Sequence, residues 1–191
     1  MSALSRMIRR FTVPPVFAAG LLITVYAFYP HYYGSVWHLI AGLFFLALLP
    51  TLAYPLQKYI PHFKDRGREG QRTLAMIFSF SGYFLGTLVT LLSRAPAKLL
   101  SIYLAYLLCG IGVLLLNKLI RIKASGHACG IVGPILMLLY FDLTVPAILG
   151  MMLVIPVYVA SLQTKQHTAP QLLSGSAIPA VCVTMAYFIL V

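Results

Sequence analysis

Long apolar segments separated by short polar ones constrain the fold of this chain more than any other feature. A helix needs about 20 apolar residues to cross the hydrocarbon core of a membrane, and helices satisfy their own backbone hydrogen bonds there. The predicted helices cover about 12–28, 36–56, 73–92, 99–119, 128–140, 146–162 and 171–191. We therefore predict an all-α, polytopic membrane bundle with about seven transmembrane helices.

The composition agrees with a single integral membrane domain. Of the 191 residues, 61% are hydrophobic and 9% are charged, and the mean hydropathy is +0.93. A soluble domain of this size could not bury so much apolar surface, so lipid must be its main solvent. The domain is predicted to cover residues 1–191, and a prokaryotic inner membrane is its predicted location.

The basic residues predict the orientation of the bundle. If the predicted helices alternate across the membrane, twelve of the fourteen Lys and Arg residues fall on one side, in 1–10, 58–72 and 118–123 and at Lys165. The positive-inside rule assigns this side to the cytoplasm, so the N-terminus is inside and the C-terminus outside. The net charge of +11 is then explained by helix flanks, and nucleic acid is not predicted as a partner.

Acidic residues are too few for the chemistry of many membrane enzymes. The carboxylate side chains of this sequence are those of Asp65, Glu69 and Asp142. The first two share one basic loop and the third stands apart, whereas enzymes that hold divalent metal ions on carboxylates need several around one cavity. No metal site and no cofactor are predicted.

The three cysteines lack a pattern typical of a disulfide framework or a zinc site. Cys109, Cys129 and Cys182 lie in or beside apolar runs, without a Cys-x-x-Cys spacing and in odd number. They are predicted to be packing residues.

Two smaller patterns also make structural predictions. Gly82 and Gly86 have a small-x-x-x-small spacing, which is predicted to bring helices together within the bundle rather than at a dimer face. Asp142 or Thr144 is predicted to cap the start of the sixth helix, with Pro146 in its first turn.

The first of two polar breaks in the C-terminal half is rich in groups that attract anions. Ser125 and Gly126 precede a predicted helix that opens with His127, so backbone N–H groups and the positive helix end point into one space. Lys123 adds a fixed positive charge, and Gly126 permits close approach of a ligand to the backbone. The alternative is structural: Ser125 is then only a helix cap and Lys123 only a basic flank.

The second polar break places another histidine before a helix. His167 precedes a helix that is predicted to begin near Pro170, with Thr168 as a possible cap. Both histidines fall on the same predicted face, each near a lysine, and no carboxylate cluster accompanies them. This combination is typical of phosphoryl transfer in which one imidazole attacks phosphorus and the other protonates the leaving oxygen.

These two breaks resemble the motifs of a known family. Lys123-Ala-Ser-Gly-His127 and His167-Thr-Ala-Pro-Gln171-Leu-Leu-Ser-Gly175 are similar to the second and third motifs of the type 2 phosphatidic acid phosphatase superfamily, the metal-independent lipid phosphatases. The usual patterns there are Pro-Ser-Gly-His and Ser-Arg-x5-His-x3-Asp. The similarity covers roughly the last 75 residues. It implies that 98–191 form a catalytic-type core, preceded in 1–97 by N-terminal helices and a basic cytoplasmic loop.

The resemblance also implies a function and the roles of individual residues. A lipid or isoprenoid phosphate, or a diphosphate, would be hydrolysed at the cytoplasmic leaflet. His167 would be the nucleophile, which becomes a phosphohistidine, and His127 the general acid. Gln171 would orient the nucleophile. Lys123, Ser125 and Gly126 would hold phosphate oxygens, and Lys165 and Arg121 are predicted to replace phosphate-binding cations of the family that this chain lacks.

The chain departs from the family patterns at several positions. No Arg-Pro of the first motif is present, Ser161 stands at the place of the third-motif arginine, and Gln171 replaces an aspartate. A divergent branch of the superfamily with Lys-x-Ser-x-His and His-Thr-x-x-Gln is similar to this chain. The departures also support a second hypothesis, in which a catalytically inactive relative binds anionic lipid or acts as a transporter or scaffold. The sequence leaves the oligomeric state open.

Overall fold

The computed structural model describes residues 12–164 and 167–190, and within them every regular element is a helix. Short helical turns at Pro30–Tyr32 and Pro61–Lys64 connect longer helices. The principal helices are α1 (Pro14–Phe28), α2 (Val36–Tyr59), α3 (Gly67–Leu92), α4 (Ala97–Lys118), α5 (Gly126–Tyr140), α6 (Thr144–Gln163) and α7 (Ala169–Leu190). The predicted all-α architecture is confirmed.

Five of these helices are long and apolar enough to cross a membrane: α2, α3, α4, α6 and α7. The two others described, α1 and α5, are also apolar but have only 15 residues each. Many apolar side chains on the five long helices face outward, including Leu92, Ile155 and Phe188. An outward apolar surface suits helices whose surroundings are lipid. The structure thus supports a membrane protein.

The short helix α5 lies at the centre of the bundle and packs against α1, α4, α6 and α7. The consecutive residues from Ile131 to Ile135 are all buried, so this stretch of α5 is covered on every side. The core around it contains side chains with no exposed surface, namely Leu22, Val25, Ile102, Ile131 and Val157. Because α5 begins at Gly126, the central helix presents its positive end at the first polar break.

The helices α2 and α3 meet where α2 has a widened helical turn. Residues Leu43–Leu48 of α2 form a π-helical segment, followed by Pro50, which has no N–H to donate and whose ring would clash with the preceding turn of a regular helix. Gly82 of α3 packs against the carbonyl group of Phe45, and a Cβ there would overlap its oxygen. Gly86 packs in the same way on the ring of Tyr103. Both glycines therefore serve contacts within the bundle, as predicted.

Two sequence predictions about helix ends were wrong. The basic loop predicted over 58–72 is shorter, because α3 already begins at Gly67; an Arg66–Glu69 ion pair of 3.3 Å supports its first turn. Neither Asp142 nor Thr144 caps α6, which begins at Thr144 after Leu143 without a side-chain cap. Asp142 instead has a positive φ of 59° in the tight turn after α5.

Candidate functional site: the junction of two polar breaks

The two polar breaks meet at one end of the bundle. The backbone N–H of Ser125 donates a hydrogen bond of 2.9 Å to the carbonyl oxygen of Gln171, which joins the start of α5 to the first turn of α7. The hydroxyl Oγ of Ser125 lies 3.4 Å from Nε2 of His167. Residues 42 positions apart in the sequence are therefore in direct contact.

Ser125 is the N-cap of α5. Its Oγ accepts a hydrogen bond of 3.2 Å from the N–H of Ala128, and its carbonyl oxygen accepts one of 3.0 Å from Cys129. The residue is only 1% exposed. The cap fixes the direction in which the helix starts, and it aims the first turn of α5, with its positive end, at the side where His167 lies.

A glycine of α7 permits this close contact. Gly175 lies directly against the backbone of Ser125, so that an added Cβ would overlap the carbonyl oxygen and come within 3.0 Å of the nitrogen. No side chain larger than hydrogen fits at this point without moving α7 away from α5. Gly175 thus brings His167, which lies just before α7, next to Ser125.

The side chain of Asn117 holds the connection between α4 and α5. Its Oδ1 accepts a hydrogen bond of 2.7 Å from the N–H of Ala124, and its Nδ2 donates one of 3.2 Å to the oxygen of the same residue. The connection between them contains Arg121, with a positive φ of 60°. Asn117 therefore closes the loop that carries Lys123 and leads to Ser125.

Gln171 stabilises the start of α7. Its Oε1 accepts a hydrogen bond of 3.3 Å from the N–H of Thr168, the residue before the helix. This is one half of a capping box, Thr-x-x-Gln, in which the fourth side chain bonds back to the backbone of the first residue. The side chain of Gln171 is half-buried. An orienting role toward His167 stays a prediction.

The remaining predicted site residues surround this junction. His127 is the second residue of α5 and is half-buried, whereas Gly126 is exposed at the helix start. Lys123 and Arg121 are exposed, and within the described residues neither forms an ion pair with a carboxylate. Lys165, the fifth predicted phosphate ligand, lies outside the described residues.

Ser161 stands where the family pattern has an arginine, and it is fully buried in α6. Its Oγ has no hydrogen-bond partner within the described part of the chain. An arginine at this position would place its guanidinium inside the bundle near the end of α6. The serine that is present has a much shorter side chain and carries no charge.

All three cysteines lie together inside the bundle, in a cluster that also contains Ala124 beside the junction. Cys109 of α4, Cys129 of α5 and Cys182 of α7 are free thiols in one buried cluster, and the thiol of Cys109 interacts with both others. Their burial agrees with a packing role, but their convergence was not predicted. In residues 12–164 and 167–190, no group of His, Cys, Asp and Glu side chains has an arrangement that could hold a metal ion.

Comparisons with protein-family models, curated proteins and solved structures give no match for this chain. Its function must therefore be inferred from the junction of Ser125, His127 and His167 and from the helices that hold it.

Proposed function

We propose that this protein is a metal-independent phosphatase that hydrolyses a membrane lipid or isoprenoid phosphate, or a diphosphate, through a histidine nucleophile. The observation that carries the proposal is the contact of 3.4 Å between Nε2 of His167 and the Oγ of Ser125. It brings an imidazole nitrogen to the positive start of a helix, where a phosphate group would be stabilised. A divergent member of the type 2 phosphatidic acid phosphatase superfamily would have these features.

The proposed reaction uses the two histidines in turn. With its proton on Nδ1, His167 has a lone pair on Nε2 that attacks phosphorus while the bond to the leaving oxygen breaks. The imidazolium of His127 gives its proton to that oxygen. Water then attacks phosphorus of the phosphohistidine, transfers a proton to the now neutral His127, and releases inorganic phosphate from His167.

The charges around the junction support an anionic substrate. Lys123 and Arg121 are exposed on the loop beside it, and Lys165 lies in the adjacent break. We infer that these cations bind the phosphate oxygens together with Ser125 and the backbone of Gly126. Two of these cations are lysines and the third, Arg121, is exposed, so weaker and less directional binding is expected than from a buried arginine fork.

The proposed orientation puts this end of the bundle in the cytoplasm. The prediction combines about seven spans with the uneven distribution of Lys and Arg, including the basic segment 58–72. The two shorter helices, α1 and α5, would complete the seven spans; α5 is surrounded by other helices, so it need not match the full thickness of the bilayer. A prokaryotic inner membrane is the proposed location.

One observation favours a second candidate function, an inactive relative that binds anionic lipid without cleaving it. Gln171 replaces the family aspartate, and its Oε1 accepts the N–H of Thr168. A neutral amide engaged in a helix cap provides no negative charge to stabilise an imidazolium at His167. The same junction would then recognise a phosphate group without turnover.

The two candidates are distinguished by phosphate release from detergent-purified protein in excess chelator. Phosphatidic acid and an isoprenoid phosphate are the test substrates, and His167→Ala and His127→Ala are the test variants. His62→Ala is the matched control, because His62 is exposed on the basic segment. Release that is lost in both test variants and retained in the control supports the phosphatase. Equal release by wild type and His167→Ala would refute it, and saturable binding of a phosphate analogue without turnover would favour the inactive relative.

A further inference from the structure

A shallow groove runs between α5 and α7 at the end of the bundle opposite the junction. Its volume is about 380 Å³. The groove is lined by Leu136 and Tyr140 on α5 and by Ala180, Val183, Thr184 and Tyr187 on α7. The lining is largely apolar, with the two tyrosines at the end nearest the helix C-termini, where their ring centroids are 6.0 Å apart.

A lysine marks the tyrosine end of this α5–α7 groove. Lys98, in the first turn of α4, places its Nζ 3.4 Å from the hydroxyl oxygen of Tyr140 and 4.8 Å from the centre of its ring. The residue is half-buried, and within the described residues it has no carboxylate within 4.0 Å. A cation held at a fixed place without an acidic partner complements an anionic group.

We propose that the α5–α7 groove binds one acyl chain of an anionic phospholipid whose phosphate is held by Lys98. The groove follows α7 from Ala180 to Phe188, a rise of about 12 Å, which is close to the ~15 Å hydrocarbon depth of one leaflet. The apolar part of the groove suits an acyl chain, and the lysine and the two tyrosine hydroxyl groups at its end suit an anionic head group. The site lies at the opposite ends of α5 and α7 from the junction, and it does not rest on the proposed phosphatase activity.

The charge at Lys98 distinguishes this site from the general lipid surface of the bundle. Any apolar face of a membrane protein contacts acyl chains, but a fixed lysine adds a preference for anionic over zwitterionic head groups. Lys58 provides an internal comparison, because its Nζ lies 4.7 Å from the ring centre of Tyr59 in a similar arrangement. Neither Lys58 nor Tyr59 lines the α5–α7 groove.

The test is native mass spectrometry of the full chain in detergent, with phosphatidylglycerol and phosphatidylcholine of identical acyl chains added in competition. Wild type is expected to retain phosphatidylglycerol preferentially. Lys98→Gln should lower this preference on the order of fivefold, the contribution of about one lysine near a membrane surface. Lys98→Arg should preserve it, and Lys58→Gln is the matched control that should leave it unchanged.

The groove itself is tested by filling it. Ala180→Phe should displace the retained lipid, whereas Val181→Phe, on an exposed neighbouring position outside the lining, should not. The proposal is overturned if wild type shows no head-group preference, if Lys98→Gln behaves as Lys58→Gln does, or if Ala180→Phe retains as much lipid as Val181→Phe. A dimer that disappears in Ala180→Phe would place a second copy of the chain in the groove and would also overturn it.

Discussion

The hydroxyl oxygen of Ser125 lies 3.4 Å from Nε2 of His167 while it also accepts the N–H of Ala128. One buried oxygen thus connects the start of α5 with the segment before α7. The same atom stabilises the fold and faces the candidate nucleophile. Structural and functional roles at this junction can therefore be separated only by variants that change one of them.

Replacement of Ser125 by alanine removes both contacts. We expect Ser125→Ala to lower the free energy of unfolding by about 1 kcal/mol, because the N-cap of α5 is lost. Phosphate release should fall much further than this change in stability explains. The measurements are denaturant titration in micelles and the release assay. Ser174→Ala, which removes a hydroxyl bonded to the backbone of Pro170 on the same end of α7, is the control.

The amide of Asn117 is expected to be indispensable for the loop that carries Lys123. Asn117→Ala removes both bonds to Ala124, one of 2.7 Å and one of 3.2 Å, and should cost about 1–3 kcal/mol because a partly buried backbone group loses its partner. Asn117→Asp keeps the acceptor for the N–H but sets a carboxylate against the carbonyl oxygen. It should therefore be destabilised above the pKa of the new carboxyl group and less so below it. If wild type, Asn117→Ala and Asn117→Asp are equally stable at every pH, the two hydrogen bonds of Asn117 do not stabilise the loop.

The three thiols are expected to be unreactive in the folded protein. Cys109, Cys129 and Cys182 are between 5% and 9% exposed, so a water-soluble maleimide should not reach them. Intact-mass measurement should show no added label before unfolding and three labels after unfolding in detergent. Arg68→Cys, on an exposed position of α3, is the positive control and should gain one label in the folded state. Rapid labelling of any native cysteine would show that the cluster opens.

Much of the fold follows from the length and polarity of the apolar runs. The end of α1 at Phe28 and the start of α2 at Val36 could be predicted, because polar or turn-forming residues separate the two apolar runs. Ser125 could be recognised as a cap because a serine precedes the apolar run. The sequence predicts Thr168 as a possible cap of α7 but assigns Gln171 only to orienting His167, although Thr-x-x-Gln is also a capping-box pattern.

The contacts between helices could not be predicted in the same way. In a helix surrounded by lipid, both the buried and the outer faces are apolar, so the pattern of polarity does not reveal which face is inward. The approach of Gly175 to Ser125 and the convergence of the thiols depend on those rotations. The hydrogen bonds between Asn117 and Ala124 depend on an irregular loop in which Arg121 has a left-handed conformation. Such a loop has no periodic pattern that would identify the partner of the amide.

Gly175 should not tolerate even one added methyl group. A Cβ would overlap the Ser125 carbonyl, and backbone atoms cannot move aside as a flexible side chain can. We expect Gly175→Ala to destabilise the protein by about 1–3 kcal/mol and to reduce phosphate release by separating His167 from Ser125. Gly133→Ala is the matched control on α5, where an added Cβ would make an ordinary contact of 3.7 Å with Pro179 of α7. Similar stability of the two variants would contradict the close packing at Gly175.

The capping box makes a prediction that separates helix stability from the charge beside His167. Gln171→Glu should keep the bond to the N–H of Thr168 and add a negative charge in the first turn of α7, which is stabilising by about 0.3–1 kcal/mol. If the second carboxylate oxygen orients His167, phosphate release should rise, because the imidazolium formed on the catalytic path gains a partner.

Gln171→Leu is the companion variant for this prediction, since it has a similar volume but cannot accept the N–H of Thr168. It should be less stable than wild type by about 0.5–1 kcal/mol and should release phosphate more slowly. Stability and release are measured in the same micelles. A Gln171→Glu protein that is more stable but no more active would confine the role of this residue to capping α7, and an orienting role toward His167 would then be refuted.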